Sequence, residues 1–166
     1  MIPTSFTSRI ALTTLAIWTA GAAAAQMVPY ADIAGFKIAR VEEPRICLAA
    51  LEKPSEAGRK MIYTYYQTAA GQRWHVAGYD DPAHLTASEV ALTVTVDTAF
   101  TLERRTEARE GDFMFPFASL EELLAFEASI PDGETLTIST GEDQLNIDLG
   151  DMRAALGAIT ACLGAL

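Results

Sequence analysis

The residues best suited to metal chemistry lie in one short stretch of the chain, where Asp80 and Asp81 precede His84. Carboxylates and imidazoles are common ligands of divalent cations. An Asp-Asp-Pro sequence is also typical of a turn whose carboxylates accept hydrogen bonds from nearby backbone amides. The sequence therefore predicts no metal and no cofactor, and a metal-dependent or hydrolytic periplasmic enzyme centred on these three residues is kept as an alternative function.

Motifs of nucleophilic catalysis and of phosphate binding are absent from the sequence. There is no Gly-x-Ser-x-Gly, Ser-x-x-Lys or His-Glu-x-x-His motif, and no glycine-rich phosphate loop. The other histidine, His75, alternates with Trp74 in a pattern that is typical of a strand face. No residue is nominated as catalytic, and the sequence favours a function other than catalysis.

One predicted hairpin carries five aromatic residues, which suggest binding rather than catalysis: Tyr63, Tyr65, Tyr66, Trp74 and Tyr79. Tyrosine and tryptophan are enriched in protein interfaces because they contribute contact area at a small entropic cost. Alternation along a strand buries some of them and leaves at least one tyrosine outward. Packing in the core is the alternative for most of the cluster. The predicted partner-binding residues are Tyr65, Tyr66, Trp74 and Tyr79.

The chain has two cysteines, Cys47 and Cys162. In an oxidising compartment an even pair predicts one structural disulfide. A redox-active pair is disfavoured because the chain has no Cys-x-x-Cys motif. Free buried thiols and pairing between molecules remain the alternatives.

The first 25 residues have the pattern of a secretory signal peptide. Arg9 precedes an apolar run over residues 10–21, and alanines at 22–25 provide a site for signal peptidase. We expect cleavage before Gln26, with an uncleaved anchor as the alternative. Residues 26–166 are then predicted to form a single β-rich domain without a stable membrane anchor. Its predicted location is the periplasm of a Gram-negative bacterium, or outside the cell.

The formal net charge of −10 argues against a nucleic-acid partner. Binding to a phosphate backbone depends on lysine and arginine side chains that neutralise it. The cationic cluster of Arg104, Arg105 and Arg109 is interleaved with glutamates, which predicts a solvated face of mixed charge. An envelope or secreted protein is the expected partner, and the sequence does not predict the oligomeric state.

Alternating apolar and polar residues predict several antiparallel strands. The clearest covers residues 90–96. Three hairpins are predicted: strands near residues 36–38 and 46–51 around Pro44, strands over 60–67 and 73–79, and strands that flank a turn at Gly141.

Two helices complete the predicted fold. Ser119 can cap a short helix, with Glu122 closing a capping box, although Glu127 interrupts its apolar stripe. Asp151 is the predicted N-cap of a C-terminal helix that points Cys162 inward. The predicted class is α+β: a mainly antiparallel sandwich or curved sheet with one short helix and a C-terminal helix packed on the sheet.

Three segments together suggest a family. They are the strand Phe36-x-Ile38 followed by Cys47, the strand Val94-Thr-Val96-Asp97, and the ending Leu145-Asn-Ile-Asp-Leu149 followed by an alanine-rich helix. In these segments the chain resembles the invasion-associated locus B family of small exported bacterial proteins. The resemblance implies a β-rich domain without enzymatic activity, linked in some members to host-cell entry.

The predicted function is that of an exported, non-catalytic domain that binds an envelope protein or a small ligand. An inhibitor or a chaperone of a co-exported protein is a further alternative, because it would share the same sequence features.

Overall fold

Antiparallel strands account for most of the architecture of the computed structural model, which describes residues 26–141 and 143–166. The predicted signal peptide, residues 1–25, lies outside the described residues. Within the described ranges, none of the helices has the length and apolar character needed to cross a membrane. The predicted class, a mainly antiparallel sheet with a short helix and a C-terminal helix, is confirmed.

The strands run in chain order as β1 Met27–Ile33, β2 Phe36–Val41, β3 Ile46–Pro54, β4 Lys60–Thr68, β5 Arg73–Tyr79, β6 Glu89–Val96, β7 Phe100–Arg109, β8 Asp112–Met114, β9 Thr135–Ser139 and β10 Gln144–Asp148. A 3-10 turn covers Pro82–His84. The helices are α1 Leu120–Ser129 and α2 Leu149–Gly164.

The described strands form one sheet in the order β1-β2-β3-β4-β5-β8-β7-β6-β9-β10. The sheet curves, so that the backbone N–H of Glu56, after β3, donates to the carbonyl of Gln144 at the start of β10. Helix α2 packs against β1, β2, β3 and β10, and therefore joins the two ends of the sheet. The buried apolar face of each strand meets the others in one core.

The three predicted hairpins are confirmed. Strands β2 and β3, β4 and β5, and β9 and β10 each pair antiparallel. Strand β6 buries Val90, Leu92, Val94 and Val96, as its alternation predicts. In the aromatic hairpin, Tyr63 and Tyr65 face the core and Tyr66 faces outward.

The mixed-charge segment is a strand, β7, rather than only a solvated stretch. Arg105 and Arg109 are exposed, as predicted, and pair with Glu89 and Glu107. Arg104 lies on the opposite face, where its guanidinium donates to the carbonyl of Pro116 and pairs with Glu122 of α1. This contact attaches α1 to the sheet.

Helix α1 begins as predicted, because the Glu122 backbone N–H donates to the Ser119 hydroxyl over 3.2 Å. The predicted capping box is only half formed, since the Glu122 carboxylate accepts from the backbone N–H of Ala118 rather than of Ser119. The predicted N-cap of α2 is wrong by one turn. Asp148, rather than Asp151, is the cap, and its Oδ1 accepts from the backbone N–H groups of Gly150 and Asp151. The capping carboxylate satisfies amides that the first turn leaves unpaired.

Cys47 on β3 and Cys162 on α2 form the predicted disulfide. Their sulfur atoms lie 1.95 Å apart and their Cα atoms 6.2 Å apart. Both residues are fully buried. The bond links the C-terminal helix to the first half of the sheet.

Candidate ligand-binding site

His75, on β5, lies inside the domain and is 2% exposed. The alternation of β5 turns His75 and Ala77 toward the core, and Trp74 and Val76 outward. Five aromatic rings surround the imidazole, with centroids 4.9 to 6.1 Å away: Tyr63, Tyr65, Phe115, Phe117 and Phe126. The site is therefore built around a histidine in an apolar cage.

Tyr63 fixes one side of this imidazole. Its hydroxyl oxygen lies 2.7 Å from His75 Nδ1, and both residues are buried. Burial raises the pKa of Tyr63 well above its usual value. Burial also lowers the pKa of His75, although the nearby Glu127 carboxylate acts in the opposite direction. Both side chains are consequently neutral at pH 7.

Glu127, on α1, faces the other side of the imidazole. Its Oε2 pairs with the guanidinium of Arg73. Its Oε1 lies 3.7 Å from His75 Nε2, which is too long for a hydrogen bond. Among the residues that the structure describes, neither Nε2 nor Oε1 has a hydrogen-bond partner, and both atoms are buried.

The two residues that carry these unpaired atoms, His75 and Glu127, both line a cavity of about 170 Å³. Strands β4 and β5 and helices α1 and α2 supply most of its lining: Tyr65, Gln67, Arg73, His75, Glu127, Ile130, Leu156 and Thr160. The Tyr65 hydroxyl donates to Gln67 Oε1 over 2.9 Å, which holds the polar rim on β4 in place. Thr160 is exposed, so the cavity reaches solvent beside α2.

The structure divides the four predicted partner-binding residues between two faces. Tyr65 and Tyr79 are buried. Tyr66 and Trp74 are half-buried cross-strand partners on the outer face of the sheet. The partner-binding hypothesis, which stays a prediction, therefore depends on the second pair.

The predicted metal-binding alternative also has a defined geometry. Asp80 pairs with Lys60, and Asp81 Oδ1 accepts from the backbone N–H of Ala83, as its turn sequence allows. His84 packs its ring edge against Tyr79. In the described part of the chain, no three or more His, Cys, Asp or Glu side chains are grouped so that they could hold a metal ion.

Sequence reasoning missed that His75 and Glu127 lie side by side. The signal that existed was the break in the apolar stripe of α1, because an acidic residue on a covering face needs a buried partner. Strand register supplied a second signal, since Tyr63 is a diagonal neighbour of His75 across the hairpin. Bringing these two observations together requires knowing where α1 packs.

No protein-family model, no curated protein and no solved structure matches this chain. The resemblance to the invasion-associated locus B family remains a prediction, and the functional argument rests on the geometry of the cavity.

Proposed function

We propose that this protein is an exported, non-catalytic domain that binds a small ligand in the cavity between β4, β5, α1 and α2. The observation that carries the proposal is the pair of buried, unpaired polar atoms, His75 Nε2 and Glu127 Oε1, on two residues that line this cavity. A buried polar group without a partner costs about 1–3 kcal/mol. A ligand that satisfies both atoms would recover that free energy as affinity.

The lining groups have fixed positions, which suits the recognition of a ligand. Arg73 holds Glu127, Tyr63 holds His75, and the Thr160 hydroxyl donates to the carbonyl of Leu156 in its own helix. Side chains held in this way are preorganised, which lowers the entropic cost of binding.

Export is supported by two features of the chain. The first is the signal-like segment over residues 1–25. The second is the Cys47–Cys162 disulfide, a bond that persists in oxidising compartments such as the bacterial periplasm. We place the domain in the periplasm of a Gram-negative bacterium or outside the cell.

Thermal unfolding in the presence of small polyols, amides, carboxylates and amines tests the proposal. A ligand at about a hundred times its Kd adds about 2.7 kcal/mol to the free energy of unfolding, which raises Tm by roughly 5 to 10 °C. We expect at least one of these classes to raise Tm in the wild type and to lose this effect in Glu127→Gln.

The matched control is Glu121→Gln, because Glu121 lies exposed on the same helix. This variant should respond to the ligand as the wild type does. If no compound raises Tm, or if both variants keep the full shift, the cavity is not the binding site.

A partner protein on the outer face is the second candidate function. Trp74, Leu120 and Leu123 line an open groove of about 350 Å³ together with residues 70–73. Leu120 is 65% exposed, an unusual position for a leucine at the start of a covering helix. An envelope protein, or a co-exported protein that this domain inhibits or chaperones, would cover it.

Replacing Leu120 by serine is expected to abolish recovery of such a partner from periplasmic extract. The side chain is exposed, so the melting curve should stay near that of the wild type. Met27→Ser is the control, because Met27 is another exposed apolar residue, on β1. Equal recovery by wild type, control and Leu120→Ser would contradict a binding role for the groove.

A further inference from the structure

The position of the proton on the His75 imidazole determines which ligand atoms the cavity can bind. The buried hydroxyl of Tyr63 has His75 Nδ1 as its hydrogen-bond partner within the described chain. If Nδ1 donated, the hydroxyl proton would stay buried without an acceptor, so we assign the hydroxyl as the donor and Nδ1 as the acceptor. A neutral imidazole carries one proton, which then lies on Nε2. The cavity wall therefore presents an N–H donor at His75 and a carboxylate acceptor at Glu127.

The charge balance of the wall disfavours ionic ligands. Arg73 already neutralises Glu127, so a cation gains little from the carboxylate and finds no acceptor at His75 Nε2. An anion that accepts from Nε2 must approach Glu127 Oε1, which lies only 3.7 Å away. The wall carries one guanidinium and one carboxylate, so an added anion leaves two negative groups against one positive group.

The separation of the two atoms suits a ligand with two neighbouring polar atoms. One ligand atom must accept from His75 Nε2 and the next must donate to Glu127 Oε1. A primary carboxamide and a vicinal diol both present an acceptor and a donor side by side. The cavity volume equals that of about five or six water molecules at ~30 Å³ each, which limits the part of the ligand that enters.

We infer that the cavity binds a neutral molecule through adjacent hydrogen-bond acceptor and donor atoms, as in a carboxamide or the vicinal diol of a polyol or sugar. This inference rests on the proposed ligand-binding function and specifies its ligand class. Ile130 and Leu156 form the apolar lining, which contacts the carbon skeleton of the ligand. His75 and Glu127 bind its polar atoms.

Titration followed by NMR of histidine-labelled, disulfide-bonded protein tests the inference. Spectra that correlate imidazole protons with both ring nitrogens should show the Nε2–H form of His75. Propionamide and propane-1,2-diol are the neutral probes, and they separate the carboxamide from the diol. Propionate and propylammonium are charged probes of similar size.

We expect at least one neutral probe to shift the His75 Nε2 resonance in a saturable manner, and the charged probes to leave it unchanged. Glu127→Gln should raise the Kd of the neutral probe about ten-fold or more, because a hydrogen bond to a charged group is lost. Glu121→Gln should bind as the wild type does.

The outcomes separate this inference from the proposed function. Saturable binding of propionate or propylammonium in preference to both neutral probes would overturn the ligand class and keep the cavity as a binding site. No response to any probe would overturn both. Tyr63→Phe adds an independent check, since it removes the hydrogen bond to Nδ1 and should shift the Nδ1 resonance of His75. An Nδ1–H form of His75 in the wild-type spectrum would contradict the assignment of the Nε2 donor.

Discussion

Loss of the Cys47–Cys162 disulfide is expected to lower the free energy of unfolding by about 4–5 kcal/mol in the chain-entropy model. The bond joins residues 115 positions apart, so it restricts the unfolded chain strongly. Because whole domains have stabilities of about 5–15 kcal/mol, the protein without this bond should be marginally stable. Urea unfolding of the double variant Cys47→Ala, Cys162→Ala measures the difference.

A reductant supplies the matched control. It should lower the urea midpoint of the wild type toward that of the double variant, and it should not change the midpoint of the double variant itself. Equal midpoints for the oxidised wild type and the double variant would show that the bond contributes no stability.

Replacing Asp143 by alanine is expected to cost about 3 kcal/mol, the lower end of the range for removing one partner of a buried ion pair. The carboxylate is fully buried, whereas Arg59 is partly exposed. Oδ2 accepts from the Ser55 hydroxyl over 2.6 Å and from Arg59 Nε over 2.9 Å. Oδ1 accepts from the backbone N–H groups of Ala57 and Gln144. Asp143 thus ties the loop after β3 to the start of β10.

The same carboxylate predicts a loss of stability in acid. Burial raises the pKa of Asp143, but hydrogen bonds from Ser55, Ala57, Gln144 and Arg59 lower it by more, so that it falls below the usual 3.8. A carboxylate with a lowered pKa in the folded state contributes stability above its unfolded pKa, and this is lost as the pH falls through the folded value.

Urea midpoints measured between neutral pH and about pH 3 test both statements. The wild type should lose stability in this range, and Asp143→Asn should start lower and lose less. Asp132→Asn, in the exposed turn after α1, is the control and should follow the wild type. If the urea midpoints of wild type and Asp143→Asn fall equally as the pH is lowered, Asp143 is not a source of the acid sensitivity.

Strands with one buried face can be predicted from this sequence. The alternation of Val90, Leu92 and Val94 reports burial directly, and the hairpin turns carry glycine or proline. Strand β7 escapes prediction because most of its residues are charged or polar and its burial depends on α1 and on neighbouring strands. The cap of α2 is ambiguous in the sequence because Asp148 and Asp151 are both capable caps, and the position where β10 ends decides between them.

The candidate site shows where prediction from sequence stops. The sequence places His75 on a strand face and marks Glu127 as an interruption of the apolar stripe of α1, and both observations hold in the structure. Neither residue indicates the other, because their contact depends on how α1 is held by Arg104 and Glu122. The cavity is a product of tertiary packing between segments that are far apart in the chain.

The position of α2 in the chain also bears on how the protein is made. The helix that covers β1, β2 and β3 is synthesised after all of these strands. Until it emerges, these strands lack the helix that packs against them, and Cys47 lacks its disulfide partner. A nascent chain that has not yet produced α2 should therefore remain short of its native state, which should form only after this helix has been synthesised.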